Sequence, residues 1–169
     1  MSPVSRPLRR DDAVEASVVV RAAPAAVRAV VADPLRFPEW SPECVRVTWL
    51  DAHRFRGWNR RGLGVWCTTA RVVAREPDEF AFVVRLLGRD FTRWSYRTQP
   101  HPDGTLLTEE VRMCLDLPVP VRAFEVALMG VRDRRADLQR NLEQCLRRIR
   151  DVVEGSQASA STAASSGES

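Results

Sequence analysis

The stretch Val65–Thr98, VWCTTARVVAREPDEFAFVVRLLGRDFTRWSYRT, decides the fold. Apolar and basic residues alternate through it with a period of two, the repeat of a strand with one face in water. Arginine marks the wet face, because an unpaired guanidinium is rarely buried. In Val65–Glu76, Arg71 and Arg75 point out, and Trp66, Thr68, Ala70, Val72 and Ala74 point in. In Phe80–Leu86, Arg85 points out and Phe80, Phe82, Val84 and Leu86 point in; in Phe91–Thr98, Arg93 and Arg97 point out, leaving Thr92, Trp94 and Tyr96 inside.

The same rule extends in both directions. Val45–Leu50 sends Arg46 out and Val45, Val47 and Trp49 in. After the turn His101-Pro102-Asp103-Gly104, Leu106–Leu117 runs back with Leu107, Glu109, Val111, Met113 and Leu115 on one side. Strands that obey one rule imply an antiparallel sheet with a single wet face. Upstream, Val14–Arg21 alternates as a first strand, Pro24 opens a helix that Asp33-Pro34 stops, and a second short helix or turn fits Leu35–Trp40. Downstream, Pro118 and Pro120 end the sheet. Val121, Phe124, Leu128, Val131, Leu138, Leu142, Cys145, Ile149 and Val152 then recur at helical spacing. Val121–Glu154 is thus expected to be one amphipathic helix of about 34 residues and about 50 Å, covering one apolar sheet face.

Composition narrows the chemistry. The 169 residues suit one domain, and all 26 basic side chains are arginine, which excludes a lysine Schiff base and a P-loop lysine. The net charge of +4 is spread among 22 acids rather than gathered into a block, so nucleic acid is not an expected partner. Cys44, Cys67, Cys114 and Cys145 are far apart, and His53 and His101 read as turn residues. No metal site, redox pair or histidine-based triad is therefore expected, and no cofactor. Gly62-Leu63-Gly64 lacks the third glycine of a dinucleotide loop and reads as a hairpin. There is no signal-like apolar segment and no run near the ~18 apolar residues of a membrane span, so the expected address is the cytoplasm, with free thiols. Residues 1–12 are expected to be flexible, 13–154 to form the domain, and the Ser/Ala-rich 155–169 to be disordered.

Four segments carry a family resemblance. AAPAAVRAVVADPLRFPEWSPECVRV (Ala22–Val47), FRGWNRRGLGVWCTTARVVAREPDEFAFVV (Phe55–Val84), RWSYRTQPHPDGTLLTEEVRM (Arg93–Met113) and NLEQCLRRIRDVVE (Asn141–Glu154) are similar to the polyketide cyclase/dehydratase-like branch of the START-like (SRPBCC) superfamily. The resemblance implies an α+β helix-grip fold. A curved antiparallel sheet of about seven strands wraps a long C-terminal helix, with two short helices after the first strand. It also implies a cavity between sheet and helix for a hydrophobic small molecule; no universal catalytic motif comes with it.

The ligand wall is expected from Trp49, Trp66, Thr68, Phe82, Trp94, Met113, Phe124 and Leu128, although any one ring could simply be core. Three polar residues are candidates for acid/base chemistry on an aromatic or polyketide substrate: Glu109, Tyr96 and Asn59. Asn59 either meets a ligand carbonyl, at a position the resemblance makes recurrent, or caps the Arg60-Arg61-Gly62 turn. Two structural alternatives stand beside a role for Glu109: a slip of one residue would bury Glu110 instead, or an inward Glu109 pairs with an arginine from the helix. Glu43, Cys44, Asp133 and Asp137 read as isolated or solvent-facing. An enzyme and a non-catalytic lipid, quinone or metabolite carrier both fit this pattern, and homodimerisation is left open.

Overall fold

The computed structural model describes residues 7–165 and has an α+β architecture. Seven strands, β1 (Ala13–Val20), β2 (Cys44–Trp49), β3 (Arg54–Arg61), β4 (Gly64–Arg75), β5 (Glu79–Leu86), β6 (Arg89–His101) and β7 (Gly104–Met113), form one antiparallel sheet. Its order is β1-β7-β6-β5-β4-β3-β2, so the first strand pairs with the last. All other neighbours are hairpins. The β3–β4 and β5–β6 turns and the end of β7 consequently share one end of the sheet.

Helix α1 (Pro24–Val31) starts on a proline suited to the first turn and buries Val27, Val30 and Val31. It gives way to a 3-10 turn, Pro34–Glu39, where the Asp33 carboxylate accepts the Leu35 N–H at 3.0 Å. Helix α3 (Arg134–Ser165) lies across the concave face and buries Leu142, Leu146, Ile149 and Val153 on one stripe. Each such side chain contributes roughly 1.5–3 kcal/mol of hydrophobic stabilisation. Leu146, Ile149 and Val153 join Val20, Phe37, Trp40 and Leu107 in the main core, and Leu142 packs with Leu8, Val111, Met113 and Leu138 in a second cluster.

Several expectations are corrected. The single helix over Val121–Glu154 is two: α2 (Val119–Met129) ends at Gly130, whose φ of 70° is the left-handed cap that stops a helix. The apolar spacing runs on across the break and hides it. Residues Gly155–Ser165, expected to be disordered, continue α3; Ser156 and Ser159 bond the carbonyls four residues back, at 2.8 and 3.1 Å. The rest of that tail, and residues 1–6, lie outside the described residues. The described part of the N-terminal segment is anchored, with Leu8 buried and its carbonyl accepting from Leu117 N–H at 3.1 Å. Val45 is exposed rather than inward, because the β2–β3 register shifts between Cys44 and Arg46 and turns it out of the pleat. Strand β7 stops at Met113, so Leu115 is not part of it.

Candidate functional site

Between the concave face and α3 lies a cavity of about 560 Å³, roofed by α2 at the end where the β3–β4 and β5–β6 turns meet. That volume falls within the range of small-molecule sites. Aromatic rings are prominent in its mainly apolar wall. Phe37, from the 3-10 turn, stands at the centre, with ring centroids 5.4 Å from Phe82, 5.6 Å from Trp40 and 5.7 Å from Phe55. Phe82 and Trp94, opposite each other on β5 and β6, stack almost parallel at 6.3 Å. Trp66 on β4 meets Phe124 of α2 edge-on at 6.1 Å, which seats the roof. Met113 and Thr68 also line the space.

Two of the expected wall residues are elsewhere. Trp49 packs edge-on against Phe55, with the Arg75 guanidinium 5.5 Å above its ring, and does not reach the cavity. Leu128 is exposed on α2; the helix break rotates Met129 inward in its place. The arginine rule also fails locally at Arg75, because the bulge at Val72–Ala74 resets the phase.

The three candidate polar residues, Asn59, Tyr96 and Glu109, all line this cavity. Asn59 Nδ2 donates to Thr68 Oγ1 at 3.3 Å across the β3–β4 pair, so its amide sits in the wall and does not cap the adjacent turn. Gly57 leaves the space beside them open: a Cβ there would lie 3.1 Å from Thr68 Oγ1. Glu109 faces the cavity from β7 and is 1% exposed. Glu110 lies on the opposite face, where Arg112 donates to it twice at 3.2 Å. Both Glu109 carboxylate oxygens are buried without a hydrogen-bond partner among the described residues. Burial pushes this carboxyl up to about 8, offset in part by the Tyr96 hydroxyl, which comes near it without reaching hydrogen-bond alignment. Tyr96 lies directly across the β6–β7 ladder, and burial together with the Glu109 charge raises its phenol well above the usual value. The Cys145 thiol, on α3 beside this pair, is raised by burial too and stays protonated.

At the mouth, sequence reasoning missed an ion network. Arg61 Nη1 and Nη2 donate to Asp137 at 2.8 and 2.6 Å, and Nη1 also reaches Glu43 at 2.9 Å. Arg134 bridges Asp137 (3.1 Å) and Glu125 (3.1 Å), and Asn141 donates to Glu43 at 3.3 Å. Glu43 and Asp137, read as isolated or solvent-facing, are thus central; Asp137 is buried. The network ties β3, the segment after the 3-10 turn, α2 and α3 together across Gly130. Glu125 is raised by burial, although Arg134 opposes the shift. Among the described residues no group of three His, Cys, Asp or Glu is placed to hold a metal, and no helix is long and apolar enough to cross a membrane.

Comparisons with known proteins agree with this geometry. The family model described as "Polyketide cyclase / dehydrase and lipid transport" matches residues 12–154. No curated protein sequence matches. Among solved structures, the Polyketide_cyc-like protein Cgl2372 of Corynebacterium glutamicum is 27% identical, with a TM-score of 0.55 over 84% of this chain and 91% of its own. A START superfamily protein of Mycobacterium smegmatis is 19% identical, with a TM-score of 0.65 over 85% and 97%. The Zhui aromatase/cyclase of Streptomyces sp. R1128 is 16% identical, with a TM-score of 0.65 over 85% and 93%. The last two likenesses concern the fold alone.

Proposed function

Because the chain belongs to the polyketide cyclase/dehydrase and lipid transport family, we propose that its cavity takes an aromatic or polyketide-like molecule and that Glu109 performs acid/base chemistry on it. The observation that carries this reading is the Glu109 carboxyl, buried without a hydrogen-bond partner among the described residues in a mainly apolar wall beside Tyr96. A carboxyl that titrates at about 8 is mostly protonated at neutral pH, and its ionised fraction is a stronger base than an ordinary carboxylate.

In an aldol closure, the ionised Glu109 removes a proton from the carbon between two carbonyls. The Tyr96 hydroxyl and the Asn59 amide donate to the developing enolate oxygen, where the surrounding rings exclude water and strengthen those bonds. The enolate carbon attacks a second carbonyl, and Glu109 returns the proton to the new alkoxide. A second removal of an α-proton, followed by protonation of the departing hydroxyl, releases water and regenerates the carboxylate. No outside oxidant or reductant is required.

A carrier role has its own support: the wall is mainly apolar, and Glu109 has no basic partner there. The two readings separate in one experiment. A planar apolar probe is titrated while tryptophan fluorescence is followed, with Trp94→Ala as the control for signal from the wall; poly-β-ketone turnover is then measured. The enzyme reading expects Glu109→Gln to keep probe affinity and lose at least about a hundredfold in rate. Binding without turnover by the wild type supports the carrier, and equal turnover in both proteins makes Glu109 structural.

A further inference from the structure

The cavity mouth carries a second kind of feature that acid/base chemistry does not use. The β5–β6 turn is a two-residue hairpin, Leu87-Gly88, with φ of 49° and 78°. Asparagine, aspartate or glycine ordinarily fills the first such position, because a bulky side chain there is strained. Leu87 is nonetheless 95% exposed, so neither turn chemistry nor core packing accounts for it. Leu63, at the tip of the β3–β4 turn, is 86% exposed, and Val119, which begins α2, is 80% exposed. Val126 and Leu128, on α2, are exposed as well.

These residues lie toward one end of the sheet. The antiparallel order puts both turns at one end of the sheet. The Leu63 N–H donates to the Leu128 carbonyl at 3.2 Å. Leu87 and the residues flanking Val119 line the same cavity. Around them Arg60, Arg89, Arg122 and Arg132 are exposed and form no ion pair among the described residues. The neighbouring acids Glu43, Asp90, Glu125 and Asp137 each already hold an arginine.

We propose that this rim is a docking surface for an anionic lipid bilayer: the Leu63, Leu87 and Val119 tips enter the interface while the four free arginines meet lipid phosphates. Apolar protrusions ringed by unpaired cations are complementary to such a surface, which offers acyl chains beneath a negative headgroup layer. The docked orientation faces the cavity mouth toward the bilayer, so a hydrophobic ligand passes between the two without crossing water. The inference goes beyond the chemistry assigned to Glu109 and stands whether or not that residue is catalytic.

The test is flotation of the ligand-free protein with vesicles, at low and high salt. One vesicle set is phosphatidylcholine alone; the other contains one part phosphatidylglycerol to two parts phosphatidylcholine. The expected result is binding to the anionic vesicles that weakens with salt. Leu63→Asn with Leu87→Asn should lower it at least about tenfold. Asparagine suits the left-handed turn position, so melting temperature and tryptophan emission should show the pair folded. Arg89→Gln with Arg122→Gln should weaken binding more than Arg56→Gln with Arg147→Gln, which removes the same charge away from the mouth. No binding by the monodisperse wild type would overturn the proposal and point the rim to a protein partner. Equal binding by the leucine pair, or equal loss from either arginine pair, would reduce it to diffuse charge attraction and also overturn it.

Discussion

Replacing Glu109 with glutamine removes a carboxyl that the cavity wall buries without a hydrogen-bond partner among the described residues, at nearly constant volume. In the unfolded chain this group titrates near 4.5, and in the fold near 8. The native state therefore keeps a proton that the unfolded chain has already lost throughout that window. Stability must fall as pH rises across it, by up to ~1.4 kcal/mol per pH unit. Below about 4.5 both states are protonated and the penalty vanishes; above about 8 it is complete, on the order of 5 kcal/mol. Glu109→Gln lacks this dependence. Urea unfolding of both proteins at several pH values from 5 to 9 gives the difference curve, which cancels Glu125, Cys44 and the other groups common to both. The variant should equal the wild type within about 1 kcal/mol at the acid end and exceed it by several kcal/mol at the alkaline end. Parallel curves would show that Glu109 is solvated in the fold, and the argument from its burial would fail.

Three further outcomes test the architecture. Arg61→Ala leaves buried Asp137 with Arg134 and a distant Arg140 only, and should cost about 2 kcal/mol, seen as a drop of several degrees in Tm; an unchanged Tm would make the mouth network energetically idle. Gly130→Ala forces an alanine into a left-handed φ of 70° and should destabilise by about 1 kcal/mol, read from the denaturant midpoint. Ending the chain after Glu154 preserves the Arg21–Glu154 pair at 3.1 Å and removes helix whose side chains through Ala160 are exposed; Tm should not move, and a loss of several degrees would mean that the extension packs on the domain.

The sequence made the sheet readable because period-two alternation and arginine placement repeat the same instruction in every strand. Glu109 was legible for that reason: it is in phase with Leu107 and Val111, both fully buried. Where a bulge inserts a residue, at Val45 or Val73, the phase resets without any change in composition, and Arg75 and Val45 are misplaced. Gly130 was masked by apolar residues that keep helical spacing on either side. Phe37, the hub of the rings, lies inside the Phe37-Pro38-Glu39-Trp40 segment of the family-like opening, but its 3-10 turn has no periodicity to reveal which way it faces. The mouth network was illegible for a different reason. Glu43, Arg61, Glu125, Arg134 and Asp137 come from four parts of the chain, and no local pattern joins them.

The pairing of the first strand with the last has a consequence in time. Ala13 stands opposite Arg112 and Val20 opposite Thr105, so β1 has no partner until roughly a hundred residues have followed it. The hairpins from β2 to β7 can form as they emerge from the ribosome, each closing a short loop. The sheet gains its last strand only after β7 is made, and the concave face gains its cover only when α3 follows. Until then the rings that will line the cavity face water on an open, curved sheet, so the nascent chain passes through a stage open to chaperone capture or edge-to-edge association. Acquisition of the ligand site thus waits for α3, and a ligand present at that moment can bias which chains complete the fold.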